Sequence, residues 1–326
     1  MPRQLRFLIP IVGLLCAPIA SLHAQADSSA AQPVYSGVYL MNLYDLDVNE
    51  YSFYADFYVW FRWQGERDPM NIEFVNALEK WGFTITPFTE EAQLLDDGSY
   101  YNGMRIEGRF YHSFELARFP LDAHQLEIRI ENVDFTADSL VYVPDTMTHL
   151  VRPDFMIPGW AITDARMEAN TNFYATSFGD PQDRGSSYSN FTFSLTITRP
   201  ASYFLLKLML PLLVVIMASL GALFIAPTYV DARFSLPIGG LLSCVFLQQS
   251  YSSALPDVGY MVLMDKIYLL SYLLIGLIML RVLLASNALA HDTSADHRAV
   301  RRQDRRLWWS LTALYLLGIG ILLIVS

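Results

Sequence analysis

Hydrophobic and polar positions follow two different rhythms along this chain. Before about residue 200 the apolar residues come in short alternating runs. In residues 51–63, Phe53, Ala55, Phe57, Val59, Phe61 and Trp63 fall on one face and Tyr54, Asp56, Tyr58, Trp60 and Arg62 on the other, the period of two expected of a half-buried strand. Further strand-like runs occupy residues 38–44, 100–114, 126–130, 140–143, 161–168 and 191–198, separated by turn signals such as Asp97-Gly98 and Gly179-Asp180-Pro181. Many short strands without long helices predict an immunoglobulin-like β-sandwich. After residue 200 the alternation gives way to four apolar blocks, residues 203–225, 236–251, 261–286 and 307–325, most of them near the ~20 residues that cross a bilayer.

Composition agrees with a soluble domain joined to membrane helices: 53% of residues are hydrophobic and only 17% charged. Arg3 and Arg6 precede a short apolar stretch, residues 7–20, and then small residues through Ala24 and Ala26. This is the layout of a secretory signal cleaved near Ala24 or Ala26; the alternative, an uncleaved anchor, is disfavoured by the short run and by Pro10 and Pro18. The expected division is therefore a signal peptide (1–26), an extracellular or periplasmic β-sandwich (27–199) and a four-helix transmembrane domain (200–326). The link before the fourth span, residues 287–306, carries Arg298, Arg301, Arg302, Arg305 and Arg306, which places it on the cytoplasmic side of an inner, or plasma, membrane. Pro211 is expected to kink the first span.

Residues 27–199 hold 26 acidic against 11 basic side chains. Such a field repels nucleic acid and concentrates cations. The only cysteines, Cys16 and Cys244, lie in apolar runs, so no disulfide is expected. There is no CxxC, GxGxxG or Walker loop, and His112, His124 and His149 lack metal-ligand spacing. No metal or cofactor is implied. Asp265 and Lys266 lie near the outer end of the third span, where an ion pair or snorkelling explains them better than catalysis. An enzyme is not expected.

Phe119-Pro120-Leu121-Asp122, preceded by Gly37-Val38-Tyr39-Leu40, Leu46-Asp47 and Trp63 and followed by Gly159-Trp160, Arg199, Pro211 and Leu255-Pro256, occurs in this order ahead of and within the four spans. This series resembles the pentameric ligand-gated ion channels, the Cys-loop receptor superfamily, over most of residues 37–326. The two cysteines of that family would fall at His112 and Leu126, so the chain is similar to the bacterial branch that lacks the disulfide. The resemblance implies a homopentamer in membrane lipid that passes monovalent cations when a small-molecule agonist opens it; the 26 acids and three histidines of the outer domain make protons a competing trigger.

With Leu255-Pro256 at the outer end, the second span becomes a helix over about residues 232–253. Steps of three or four place Asp231, Ser235, Gly239, Leu242, Phe246, Gln249 and Ser253 on one stripe. The stripe is polar at its ends and apolar in its middle, which suits a pore closed by dewetting at Leu242 and Phe246; packing against other helices is the alternative reading of both. Pro237 is expected to bend or widen the inner half. Asp231, where cation-selective relatives place an acidic ring, is the expected selectivity residue, with Arg233 turned away from the lumen.

By the same resemblance an agonist site lies between subunits, with Tyr58 on one side and Phe135, Phe173, Tyr174, Phe178 and Tyr188 on the other. Asp47, Phe119, Pro120, Asp122, Arg199 and Pro256 form the coupling cluster, against the alternative that Asp47 and Asp122 only cap turns. Two rival readings stay open: a non-conducting membrane-anchored sensor with the same sandwich, and protons rather than a ligand as the trigger.

Overall fold

The computed structural model describes residues 30–145, 149–176, 179, 185–291 and 297–325. The signal-peptide stretch, Phe178 and most of the Gly179-Asp180-Pro181 turn lie outside the described residues. Ten strands come first: β1 (Gln32–Asp47), β2 (Ser52–Trp63), β3 (Ile72–Phe74), β4 (Thr84–Pro87), β5 (Gln93–Leu94), β6 (Tyr100–Tyr111), β7 (Ala123–Asn132), β8 (Leu140–Pro144), β9 (Ala161–Tyr174) and β10 (Ser186–Thr198). They form two sheets, one ordered β4-β6-β2-β1-β8 with β5 also on β6, the other β3-β7-β10-β9.

The alternation read in β2 is realised: Phe53, Ala55, Phe57, Val59, Phe61 and Trp63 are all buried. The Phe53 and Phe57 rings meet Phe110 and Phe74 at 5.7–6.0 Å in stacked, tilted and edge-on arrangements, and Phe74 and Phe110 meet each other edge-on at 5.5 Å. On the facing sheet Leu126, Ile128 and Ile130 of β7 and Phe191, Phe193, Leu195 and Ile197 of β10 complete the layer. Burial of large aromatic side chains here supplies the main stabilisation of the sandwich, at roughly 2–3 kcal/mol each.

Four helices follow: α1 (Leu210–Gly221), α2 (Val230–Ser252), α3 (Leu263–His291) and α4 (His297–Val325). With the stretch leading into α1, all four are long and apolar enough to cross a membrane. The chain is a multi-pass membrane protein with a β-sandwich in front of its spans.

Two helix expectations change. Residues Tyr203–Met209, leading up to Pro211, are π-helical rather than α-helical, and Pro211 sits at the start of α1. The Leu210 N–H accordingly bonds to Leu205 O, five residues back. A π-helical turn is a recurrent way to absorb the proline's missing donor. The fourth helix begins at His297, not near 307, so most of the stretch read as a link is helix. Pro237 leaves α2 unbroken and is buried. Close to it, a Cβ at Gly240 would lie 2.0 Å from Ser219 Oγ, so α1 and α2 approach to a distance that only glycine permits.

Candidate functional site

The seven predicted stripe residues of α2 share one property: Asp231, Ser235, Gly239, Leu242, Phe246, Gln249 and Ser253 are all exposed in the protomer. The buried residues of the same helix are Arg233, Pro237, Gly240, Cys244 and Tyr251, spaced at three, four or seven and therefore on the other side. The packed side is held by polar contacts. Tyr251 donates to Asp265 of α3, Gln248 donates to the same carboxylate at 3.3 Å, and Tyr272 donates to Gln248 at 2.5 Å. Asp265 thereby anchors α3 to α2.

Arg233 is turned away from the exposed stripe, as expected, but its partner was not foreseen. It is fully buried; Nη2 donates to Asp304 Oδ2 at 2.6 Å and Nε to Ala222 O at 3.2 Å. Asp304 Oδ1 also accepts from Arg281 Nε at 2.8 Å. One buried carboxylate thus ties α2, α3 and α4 together. The signal for it was a single acid among four arginines, which reads as a basic link unless the helix is extended upstream.

Between sandwich and helices, Arg199 Nε reaches both oxygens of Asp122 at 2.9 and 3.1 Å. Its guanidinium lies 4.1 Å from the Trp160 ring centre and 5.1 Å from that of Phe119, where cation–π attraction adds to the ion pair. Asp122 also bonds His124 Nε2 at 2.7 Å. Burial pushes the Asp122 carboxyl up, but the His124 bond and the Arg199 charge outweigh it and hold it below the usual carboxylate value. The same loop grips the helices: Phe119 stacks on Tyr251 at 6.1 Å, the Leu116 N–H donates to Tyr260 Oη at 3.0 Å, and the Leu263 N–H donates to Ala117 O at 3.0 Å.

Asp47 is not brought to this cluster by any hydrogen bond or ion pair among the described residues. Its Oδ1 accepts from the N–H groups of Asn49 and Glu50, capping its own turn. Pro256 is half-buried in the α2–α3 link; Tyr260, at the far end of that link, makes its hydrogen bond to the sandwich.

The proposed agonist residues occupy the outer faces of different sheets. Tyr58 lies on β2, with Phe88 at 5.9 Å and the Arg105 guanidinium 5.5 Å above its ring. Arg105 forms a two-pronged pair with Asp56 at 2.9 and 2.7 Å. Tyr174 and Tyr188 meet edge to face at 5.8 Å on β9 and β10. Phe173 is exposed nearby. The loop holding Phe135 is tied to β10 by the Ala137 N–H to Ser187 O bond at 2.7 Å.

Beneath Tyr174 lies Glu131, which sequence reading passed over. It is buried and accepts from Asn172, Asn190 and Tyr174. Burial, and then the bond to Glu131, push the Tyr174 hydroxyl up to about 12. Because the outer faces of a sandwich's two sheets point apart, Tyr58 and the Tyr174–Tyr188 pair cannot enclose a ligand within one protomer.

Among known proteins, 223 residues of the chain, 68% of it, are 24% identical to a γ-aminobutyric acid receptor subunit beta of Lymnaea stagnalis, covering 43% of that protein. A γ-aminobutyric acid receptor subunit beta-like protein of Drosophila melanogaster matches at 24% over 60% of the chain and 38% of its own length. The subunit beta-4 of Gallus gallus matches at 23% over 60% of the chain and 39% of its own length. The chain is a distant homologue of these receptor subunits. Its fold is that of the Cys-loop receptors. The relatives are receptor subunits, not enzymes. The matches span about two fifths of the relatives' length, and no family model matches the chain.

Proposed function

We propose that this chain is the subunit of a homopentameric, ligand-gated, cation-selective channel of the bacterial kind that lacks the Cys-loop disulfide. Residues 27–199 form the outer domain, 200–326 the membrane domain, and the first 26 residues are removed. The observation that carries the reading is the two-sidedness of α2: one side packs on α1 and α3, and the other leaves a stripe from Asp231 to Ser253 without a partner in the protomer. Five copies facing inward would enclose water, with rings of Leu242 and Phe246 as the hydrophobic constriction.

Selectivity rests on this chain's own residues. Asp231 is exposed at one mouth, while the nearby Arg233 is neutralised within the protein by Asp304. At about 8 Å a carboxylate attracts a monovalent cation by roughly 0.5 kcal/mol in water-like surroundings and about 2 kcal/mol at an effective dielectric near 20. A ring of five is therefore enough to dominate.

For the trigger, a small molecule with one ammonium and one carboxylate fits the opposed faces: Glu131 with Tyr174 and Tyr188 on one subunit, Arg105 beside Tyr58 on the next. The relatives are named for γ-aminobutyric acid, a molecule of this class. Binding there would be felt at the Asp122–Arg199 pair and the Phe119–Tyr251 and Leu116–Tyr260 contacts, which join the sandwich to α2 and the α2–α3 link.

The test is current across a bilayer holding the purified protein under a NaCl gradient, with ω-amino acids applied and outer pH stepped. Reversal near the sodium potential supports the reading. Reversal near the chloride potential refutes the selectivity, and silence with every ligand and pH favours the non-conducting sensor.

A further inference from the structure

Asp231 and Arg233 are the only charged residues of α2 and stand two positions apart in its first turn. Opposite charges this close cancel unless the protein keeps them apart. The start of α2 is also the positive end of its dipole, where a cation is unfavourable. The guanidinium is nevertheless held there, and on the packed side. Its Nε donates to Ala222 O, at the end of α1, at 3.2 Å, and its Nη2 donates to Asp304 Oδ2 of α4 at 2.6 Å. Both partners of the ion pair are 0% exposed. Arg281 Nε takes the other carboxylate oxygen at 2.8 Å, so each oxygen of Asp304 serves one arginine.

Asp304 is the one acid in the sequence of α4, set among Arg298, Arg301, Arg302, Arg305 and Arg306. Stability does not account for it, because a buried ion pair seldom holds a fold together better than apolar side chains of the same volume. What it supplies is a fixed place for the Arg233 charge. We infer that Asp304 is a positioning residue for ion selection: from a helix outside the pore, it keeps the Arg233 guanidinium off the mouth, so that the Asp231 ring meets passing cations unopposed. Without the acid, five unpaired guanidinium groups would act on the same mouth as the five carboxylates. Among the described residues, Ala222 O alone would remain to hold each of them on the packed side. The inference rests on the cation-channel reading and deepens it, since it places one control of selectivity on α4, 71 residues from Arg233.

The test is the reversal potential of the full chain in planar bilayers under a NaCl gradient, which reports only conducting channels and so does not move when a smaller fraction folds. The wild type should reverse near the sodium potential. Asp304→Asn should lower the sodium-to-chloride permeability ratio about tenfold, because one positive charge per subunit is released at the mouth. Asp304→Glu, which keeps the charge, should restore the wild-type value. So should Arg233→Met combined with Asp304→Leu, which leaves no charge to release. An unchanged ratio in Asp304→Asn overturns the inference, and so does an equal fall in the double variant, since the acid would then act without Arg233. If Asp304→Asn does not assemble, Asp304→Ser, which leaves room for water beside the guanidinium, takes its place with the same two outcomes. A wild type that reverses near the chloride potential overturns the selectivity reading itself; a cation-selective wild type that is insensitive to loss of Asp304 overturns this inference alone.

Discussion

Replacing Asp304 with Asn keeps the shape of the side chain and removes the one negative charge that three helices share. In the wild-type protein its oxygens lie 2.6 Å from Arg233 Nη2 and 2.8 Å from Arg281 Nε. Removing one partner of a buried ion pair costs about 3–5 kcal/mol, because the other charge stays buried without compensation. The two arginines are not equal here. Arg281 is 22% exposed and can turn to water, whereas Arg233 is 0% exposed and its Nη1 has no hydrogen-bond partner even now. Most of the loss should therefore come from Arg233, and Asp304→Asn should cost about 3 kcal/mol. The same logic predicts strong non-additivity. Arg233→Met combined with Asp304→Leu, which removes both charges and keeps the volume, should recover most of the loss and stay within about 1–2 kcal/mol of wild type. Unfolding by SDS in mixed micelles, followed by tryptophan fluorescence, measures both. A cost below about 1 kcal/mol for Asp304→Asn, or a double variant whose cost equals the sum of its single changes, would refute the argument.

Asp231→Ala should move the reversal potential in a NaCl gradient away from the sodium value by removing roughly 0.5–2 kcal/mol of attraction per subunit; an unchanged potential would sink the selectivity assignment. Leu242→Ala should raise the resting leak by wetting the constriction, and unaltered leak and gating together would remove it as the gate. Glu131→Gln should weaken activation by an ω-amino acid tenfold or more while leaving single-channel conductance alone, whereas an equal concentration-response curve would exclude it from the site. His112 is held down to about 4 by burial and by the charges of His124 and Arg129. As a base whose folded pKa lies below its unfolded value near 6.5, it contributes stability that is complete above pH ~6.5 and lost as pH falls toward 4, by up to ~3 kcal/mol. His112→Phe should flatten that part of the pH–stability curve of the purified protein, and a variant curve parallel to wild type would contradict it.

The sandwich and the spans were legible because they rest on local periodicity. β2 shows this best: its alternating aromatic face could be read from thirteen residues and is buried as read. β3, β4 and β5 were not legible; at three, four and two residues they are too short to show a period and exist only because β6 and β7 offer them an edge. The seven stripe residues read on α2 are all exposed in the protomer, though α2 also exposes Leu236, Ile238 and Val245 beside them. The reach of α4 was not legible, because a run of arginines with one acid looks like a solvated link until the acid meets Arg233, 71 residues away.

Glu131 was hidden for a related reason. On β7 it falls on the outer face with Glu127 and Arg129, and single-strand alternation assigns that face to solvent. It is buried only because the register sets Asn190 opposite it, and because Asn172 and Tyr174 of β9 reach over it. Asp47 shows the converse: its place in the motif series suggested coupling, with turn capping as the alternative, and its Oδ1 accepts from two N–H groups of its own turn.

The central claim is that the exposed side of α2 lines a water-filled path. Cysteines placed one at a time at Ser235, Leu242 and Gln249, with charged thiol reagents applied while current is recorded, test it most directly. Cys244 on the packed side, buried and free, is the internal control. The account predicts that reagent changes the current at all three exposed positions and leaves the unmodified protein, with only Cys244 in α2, unaffected. Current unchanged at Leu242 and Gln249, or altered equally through Cys244, would contradict it.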